Sequence, residues 1–544
     1  MRTQRKGNGI TARAIAGSYV VLLAMNADQK SREGLLGFAL KRKDLTENEE
    51  YWLPGFRTFK ETYPHPKPGS LVSTHEHPIQ SFLWGDYTAK PGHSYEYSIV
   101  PVYGKPKNLE YRDAIILKVN TEDEDRGTFA VYFNRGVAGS QAYSRKFGDK
   151  TPDEVPDNAA YKWLSRGLEE AIIKFIGQAK GEEYSLRASV YEFSWPNVLD
   201  AFKTAADSRA DVKIVYDCRK EEPQKTSDKA IKKAGLRPFM IKRKSNKSYI
   251  SHNKFIILLK NGKPLEVWTG STNFTEGGIF GQSNVGFIVR DEKTAAKYLE
   301  YWNQLAEDTP AGELRPLNEE NTPDPSGEPP EGITPLFSPR TDLKVLEWYA
   351  DRMKNAENIL DFTAAFGVNQ LLADVLAVEG DTLRYLLLEK EGDTFDEFSK
   401  VKNNLIAIGA HLDEEAMKQK GLHRWLKEKL TGLNSHVKYL HTKYLILDPL
   451  GEKPVSISGS ANFSNASTKN NDENMVVING DKGVADIYLG EFMRLWDHYY
   501  FRDVASRLSS EETVDSAYLR PNDGWTDKFY KEGSVQEKIR KIFA

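Results

Sequence analysis

A pattern of 23 residues occurs twice in this chain, and the repetition limits its possible folds more than any other feature. The first copy, HNKFIILLKNGKPLEVWTGSTNF, begins at His252, and the second, HTKYLILDPLGEKPVSISGSANF, begins at His441. In each, a lysine follows the histidine by two positions (Lys254, Lys443), and an apolar run follows the lysine. Side chains alternate along a strand, so histidine and lysine share one face while the apolar run supplies core. Nineteen positions after each histidine stands the serine of a Gly-Ser-X-Asn-Phe turn: Ser271 with Asn273, and Ser460 with Asn462. A single histidine near a strand start means little. The same set at the same distances twice means an internal duplication.

The surrounding pattern agrees. From about residue 157 helical and strand-like segments alternate, as in YKWLSRGLEEAIIKFIG, YSLRASVYEF and VKIVYDC. The order returns at LKVLEWYADRMKNA, ILDFTAAF and LRYLLLE. Alternation of this kind indicates an α/β sheet in each half. Residues 1–155 read differently, as β structure with Gly/Pro punctuation. The stretch SFLWGDYTAKPGHSYEYSIVPVYG resembles a fibronectin type III-like or immunoglobulin-like sandwich, a scaffold or contact surface for a protein partner. His75 and His77 in STHEH have no further ligand cluster and read as loop. The expected organisation is a β-sandwich (1–155), a first α/β half (156–308), a Pro-rich extended linker (309–339), a second half (340–500) and a C-terminal tail (501–544) docked on the α/β body.

At the repeated residues the chain resembles the phospholipase D superfamily, whose signature is His-X-Lys, an Asp five residues on, then Gly-Ser-X-Asn. The resemblance implies two duplicated α/β halves about a pseudo-twofold axis, with both motifs in one cleft. It also implies phosphodiester chemistry through a phosphohistidine, with no metal and no cofactor. The residue types suit that chemistry. Two histidines on opposite sides of a phosphate supply a nucleophile and a proton for the leaving oxygen. Lys254 and Lys443 would clamp the non-bridging oxygens, with Asn273 and Asn462 as amide donors. Ser271 and Ser460 would orient the site, and the turn glycines would let backbone approach the anion.

The copies also differ. The second has Asp448 where the first has Leu259. After its turn the second carries Glu473, matching the family carboxylate that braces a histidine, whereas the first offers Gln282 or Ser283. With Glu473 read as the brace of His441, His441 is the expected proton donor and His252 the expected nucleophile.

The substrate is less constrained. A net charge of −3 leaves any polyanion affinity to local patches. Two basic stretches precede the motifs, one at residues 232–250 and one at KQKGLHRWLKEKLTGLNSHVK, interleaved with Phe239, Tyr249 and Trp425. Basic residues with stacking platforms suit nucleic acid, DNA ahead of RNA, and the expected activity is that of a nuclease. The alternatives are a phospholipase D or transphosphatidylase on phospholipid, and a non-catalytic phosphate-binding or assembly protein. One cysteine, Cys218, excludes an intrachain disulfide. No apolar run reaches the length of a transmembrane segment. A cytoplasmic protein is expected, with secretion the alternative raised by the faintly signal-like N-terminus.

Overall fold

The computed structural model describes the chain apart from residues 67–69, 137–139, 149, 218–220, 246–248, 410–439 and 508–517, with backbone alone at 140–141, 221–223 and 501–507. Cys218, Trp425 and the second basic stretch therefore lie outside the described residues.

The N-terminal region is a β-sandwich. A four-stranded sheet built on Ile10–Ala16 and Val21–Ala27 faces a second sheet built on Gly37–Asp44 and Ser94–Lys105. Alternating residues from both sheets share one core, among them Ala12, Leu23, Phe38, Tyr97 and Leu117. His75 stacks between Trp52 and Tyr111, with ring centroids 4.5 and 4.4 Å away, and His77 Nδ1 accepts the Phe59 N–H. Packing accounts for both histidines.

The duplication is visible in strand order. One α/β sheet runs Phe129–Phe133, Val285–Val289, Lys263–Gly270, Lys254–Lys260, Tyr184–Val190, Asp211–Asp217 and Met240–Arg243, with the short Asp125–Arg126 outside it. The other runs Gly332–Ser338, Glu473–Asn479, Val455–Gly459, Tyr444–Leu447, Ile359–Ala364, Leu383–Leu388 and Asn404–Ile408, the same seven-strand order. In each sheet the strand after the His-X-Lys histidine lies centrally, antiparallel to both neighbours. The two sheets share a core in which Phe255, Ile257 and Val285 meet Tyr444, Ile446 and Val476. Tyr298 and Trp302 of helix Glu292–Ala306, and Tyr488 and Phe492 of helix Lys482–Arg507, join that core.

Three expectations change. Residues 125–133 pair with the first α/β sheet, Phe129 opposite Val289, so the chain enters that sheet well before residue 156. The Pro-rich segment is not an extended linker. It holds helix Ala311–Asn321 and strand Gly332–Ser338, which takes the place in the second sheet that Phe129–Phe133 takes in the first. Its prolines are compatible with an edge position, where one side of the strand needs no donor. The tail packs on the sandwich as well as on the α/β body: Trp525 and Phe529 lie in the sandwich core, and Tyr530 donates to the Ala27 carbonyl. Phe543 is buried in the core between the halves, and Val535, Ile539 and Ile542 of the same helix, Val535–Phe543, pack against that core. Among the described residues no helix is long and apolar enough to cross a membrane.

Candidate active site

His252 stands two positions before strand Lys254–Lys260 and His441 three before Tyr444–Leu447, and the backbone at each is fixed from two directions. The N–H of Ser251, just ahead of His252, is accepted by the Asp217 carboxylate at 2.7 Å. The N–H of Leu440, just ahead of His441, is accepted by Glu389 at 2.9 Å. Asp217 and Glu389 follow equivalent strands at the carboxyl edge of each sheet. The second direction comes from the opposite half. The His252 N–H donates to the Asp472 carbonyl at 2.9 Å, and the His441 N–H donates to the Ser283 carbonyl at 3.2 Å. This reciprocal bonding is what a pseudo-twofold axis between the halves requires.

The two imidazoles converge, with ring centroids 6.4 Å apart and planes at 74°. Each is only 4 % exposed. Lys254 and Lys443 are buried beside them, and each ammonium donates to the carbonyl of its own histidine. Tyr191 sets its ring against His252 at 5.0 Å and lies 5.2 Å beneath the Lys254 ammonium.

The braces cross over. Glu473 lies behind His252, with Oε2 3.0 Å from Nδ1, and not behind His441 as expected. Its other oxygen accepts from Ser467 and Asn471. His441 is braced by Asn284, whose Oδ1 lies 2.9 Å from Nδ1. Neither Gln282 nor Ser283 fills that place. Asn284 donates its side-chain N–H to the Gly278 carbonyl, so it presents oxygen to His441, which must carry its proton on Nδ1. Sequence reasoning missed Asn284, Asp217 and Glu389. A signal for the first existed, since Asn284 and Glu473 each stand 32 positions after the histidine of their own half.

Other expectations also move. Asp448 is outside the cleft, at the far end of strand Tyr444–Leu447, where its carboxylate accepts the N–H groups of Glu357, Asn358 and Ile359. It closes the entry to the neighbouring strand, a position in which a strand-end carboxylate is consumed by backbone donors. The turn glycines serve the sheet and not an anion. A Cβ on Gly270 would lie 2.3 Å from the Val285 carbonyl, and one on Gly459 would lie 2.2 Å from that of Asn474. The N–H groups of Ser271 and Ser460 are already given to those carbonyls. The Ser271 hydroxyl donates to Asn284, and the Ser460 hydroxyl accepts the Asn474 N–H. Asn273 donates its amide N–H to Glu192 at 2.7 Å. The amide oxygens of Asn273 and Asn462 are buried without a hydrogen-bond partner among the described residues, a condition that a bound ligand or water relieves.

Burial governs the charges. It brings Lys254 down to about 7, against the upward pull of Glu473, Glu192 and Asp217. Lys443 lies well below the ordinary amine range for the same reason, and the Lys254 charge lowers it further. Burial, then the two lysines and His252, hold His441 well below the usual imidazole range. Burial raises Glu473 to about 7 although both lysines oppose it. A bound phosphate anion would reverse the like-charge part of these shifts. In the free protein, acidification through about pH 7 neutralises Glu473 and alkalinisation through it neutralises Lys254. The expected kcat/KM profile is a narrow bell centred there. Glu473→Gln should abolish the acid limb and move the alkaline limb to lower pH, because Glu473 holds Lys254 protonated; a pH–rate series on both proteins checks this.

Comparison with known proteins came to the same residues. The family described as "Cardiolipin synthase, PLD-like domain" matches residues 172–306 and 350–496, just over half of the chain, with one motif copy in each segment. No curated protein matches. Among solved structures, the polyphosphate kinase of Porphyromonas gingivalis is similar at 11% identity and a TM-score of 0.37, over 59% of this chain and 46% of that one. The chain therefore spans less than half of that kinase. The phospholipase D family member Nuc from Salmonella typhimurium aligns at 27% identity and a TM-score of 0.22, over 26% of this chain and 86% of its own. The phosphatidylserine synthase of Haemophilus influenzae aligns at 12% identity and a TM-score of 0.42, over 70% and 94%. The family match, falling on both halves of a cleft where two His-X-Lys motifs meet, establishes that this chain belongs to the phospholipase D superfamily of phosphodiesterases.

Proposed function

We propose that the protein cleaves phosphodiesters without a metal, through a phosphohistidine on His252, and that nucleic acid is its substrate. The observation carrying the mechanism is the unequal bracing of two converging imidazoles. With Nδ1–H given to Glu473, His252 directs the Nε2 lone pair at phosphorus. The carboxylate then stabilises the positive charge that grows on the ring as the N–P bond forms. His441, braced by a neutral amide, gains no such stabilisation; once the bound phosphate anion offsets the lysine charges that lower its proton affinity, it passes a proton to the leaving oxygen. The nucleophile assignment is the one expected from the sequence, but the physical reason is the reverse: the carboxylate supports the attacking ring. Water then attacks phosphorus, His441 takes its proton, and the N–P bond breaks. Lys254 and Lys443 hold the non-bridging oxygens throughout.

Nucleic acid is favoured by the basic stretch that precedes His252 in the chain and whose strand, Met240–Arg243, runs toward the cleft edge. Lys232, Lys233, Arg237, Lys242 and Lys244 are exposed with no acid between them, and Tyr249 is exposed three residues before the histidine. Arg243 does not belong to this strip, because it is buried in ion pairs with Asp472 and Asp308. Phosphate-tracking cations with an aromatic neighbour suit a polynucleotide. One observation favours phospholipid instead: Phe366, at the carboxyl edge of strand Ile359–Ala364, is 55 % exposed, as an apolar rim would require. The test is a panel of single- and double-stranded DNA, RNA and phosphatidylcholine vesicles in EDTA, with His252→Asn and His441→Asn as controls. Chelator-resistant cleavage of nucleic acid that both substitutions abolish is the expected result. Headgroup release with nucleic acid intact would replace this reading by the lipid one, and inactivity of a folded protein on every substrate would leave phosphate binding.

A further inference from the structure

The two halves are not equivalent around the phosphate position. Strand pairing sets Val190 opposite Lys254 in the first half. In the second, Phe362 opposite Leu445 brings Ala364 level with Lys443. Two residues beyond these points stand Glu192 in the first half and Phe366 in the second. Glu192 is half-buried and hydrogen-bonded to the turn residue Asn273, and its charge acts on both Lys254 and Lys443. The second half puts no carboxylate at the matching position. A carboxylate beside an anion site weakens every phosphate bound there, so its presence calls for a reason.

We infer that Glu192 makes the cleft selective for phosphodiesters, with one negative charge, over phosphomonoesters, with nearly two, and so speeds release of the monoester that hydrolysis leaves. This rests on the phosphodiesterase reading above. Two lysines alone would bind a dianion more tightly than a monoanion, and the product would then occupy the site more firmly than the substrate. A fixed negative charge removes about twice as much attraction from the dianion as from the monoanion. Its effect therefore falls mainly on the product. The hydrogen bond from Asn273 holds the carboxylate in place, and the opposite side of the cleft, with Phe366, is left without a second repulsive charge.

The experiment compares wild type with Glu192→Gln, which keeps an acceptor for Asn273 and loses the charge, and with Glu192→Asp, which keeps the charge. Hydrolysis of bis(p-nitrophenyl) phosphate in EDTA at about pH 7, the centre of the expected activity profile and a pH at which a monoester is mostly dianionic, is inhibited with dimethyl phosphate and with methyl phosphate. In Glu192→Gln, dimethyl phosphate should tighten by a factor of ~10, and methyl phosphate by about the square of whatever factor is found. The ratio of the two inhibition constants should thus move toward the monoester, while Glu192→Asp stays near wild type. An unchanged ratio in Glu192→Gln, or an equal change in Glu192→Asp, would overturn the inference, since a merely structural role would affect both ligands alike. If wild type hydrolyses no diester, the proposed function has failed. Phosphorus NMR titration of the same two ligands onto the folded proteins then still decides whether Glu192 discriminates by charge.

Discussion

Replacing His441 with asparagine will leave a phosphoryl group covalently attached to the protein, whereas replacing His252 with asparagine will leave none. The proposed mechanism assigns different burdens to the two rings. In it His252, with Glu473 at 3.0 Å behind it, carries the growing positive charge and makes the N–P bond. His441, held by Asn284 at 2.9 Å, has in the same proposal the task of passing protons to the leaving oxygen and from the incoming water. Loss of the nucleophile removes the whole covalent route. Loss of the acid slows the first step by about 10²–10⁴-fold, and the second step also loses its base. With a substrate whose leaving group needs no proton, such as p-nitrophenolate, the first step survives and the second stalls. The intermediate therefore accumulates. A stoichiometric burst of p-nitrophenolate from His441→Asn, with acid-labile phosphate on a peptide containing His252, is the expected result. A burst from His252→Asn instead would reverse the assignment.

The second large effect concerns stability. Arg243 Nε lies 2.9 Å from Asp472, and both side chains are wholly buried. Burial pushes the Asp472 carboxyl up while Arg243 pulls it down. Asp472 precedes Glu473, and its carbonyl accepts the His252 N–H. The pair thus lies directly beneath the brace of the proposed nucleophile. Removing Arg243 strands the buried Asp472 charge, so Arg243→Met should lose about 3–5 kcal/mol in the first transition of urea unfolding, and Asp472→Leu should lose less because Arg243 keeps its ion pair with Asp308. The double replacement should recover most of the Arg243→Met loss, because the carboxylate that then lacks its ion pair, Asp308, is partly exposed and still accepts the N–H groups of Lys244 and Ser245. Its kcat should stay depressed, because the backbone that aims His252 has lost its anchor. A loss in the double variant equal to the sum of the two single losses would show that the two charges act independently.

The repeat made much of the architecture legible. Two histidines, two lysines and two Gly-Ser-X-Asn turns at matched distances implied two sheets and one shared cleft, and the seven-strand order recurs in both halves. Where local pattern was ambiguous, the reading failed for identifiable reasons. Gly332–Ser338 sits in proline-rich sequence, yet it forms a strand because Glu473–Asn479 offers it an edge. The tail was expected on the α/β body, yet Trp525 and Phe529 are buried in the sandwich core, because aromatic character signals burial and not the partner. Asp448 matched a family position and proved to be a backbone clamp.

By itself, the sequence determined which groups exist to handle a phosphate, because spacing along a strand fixes which side chains share a face. Tertiary structure decided which group serves which. Glu473 belongs to His252 and Asn284 to His441 because the partner of each imidazole comes from the other half, across 221 and 157 positions of chain. Contacts at such separations arise from how two sheets pack, and no local pattern of residues encodes that packing.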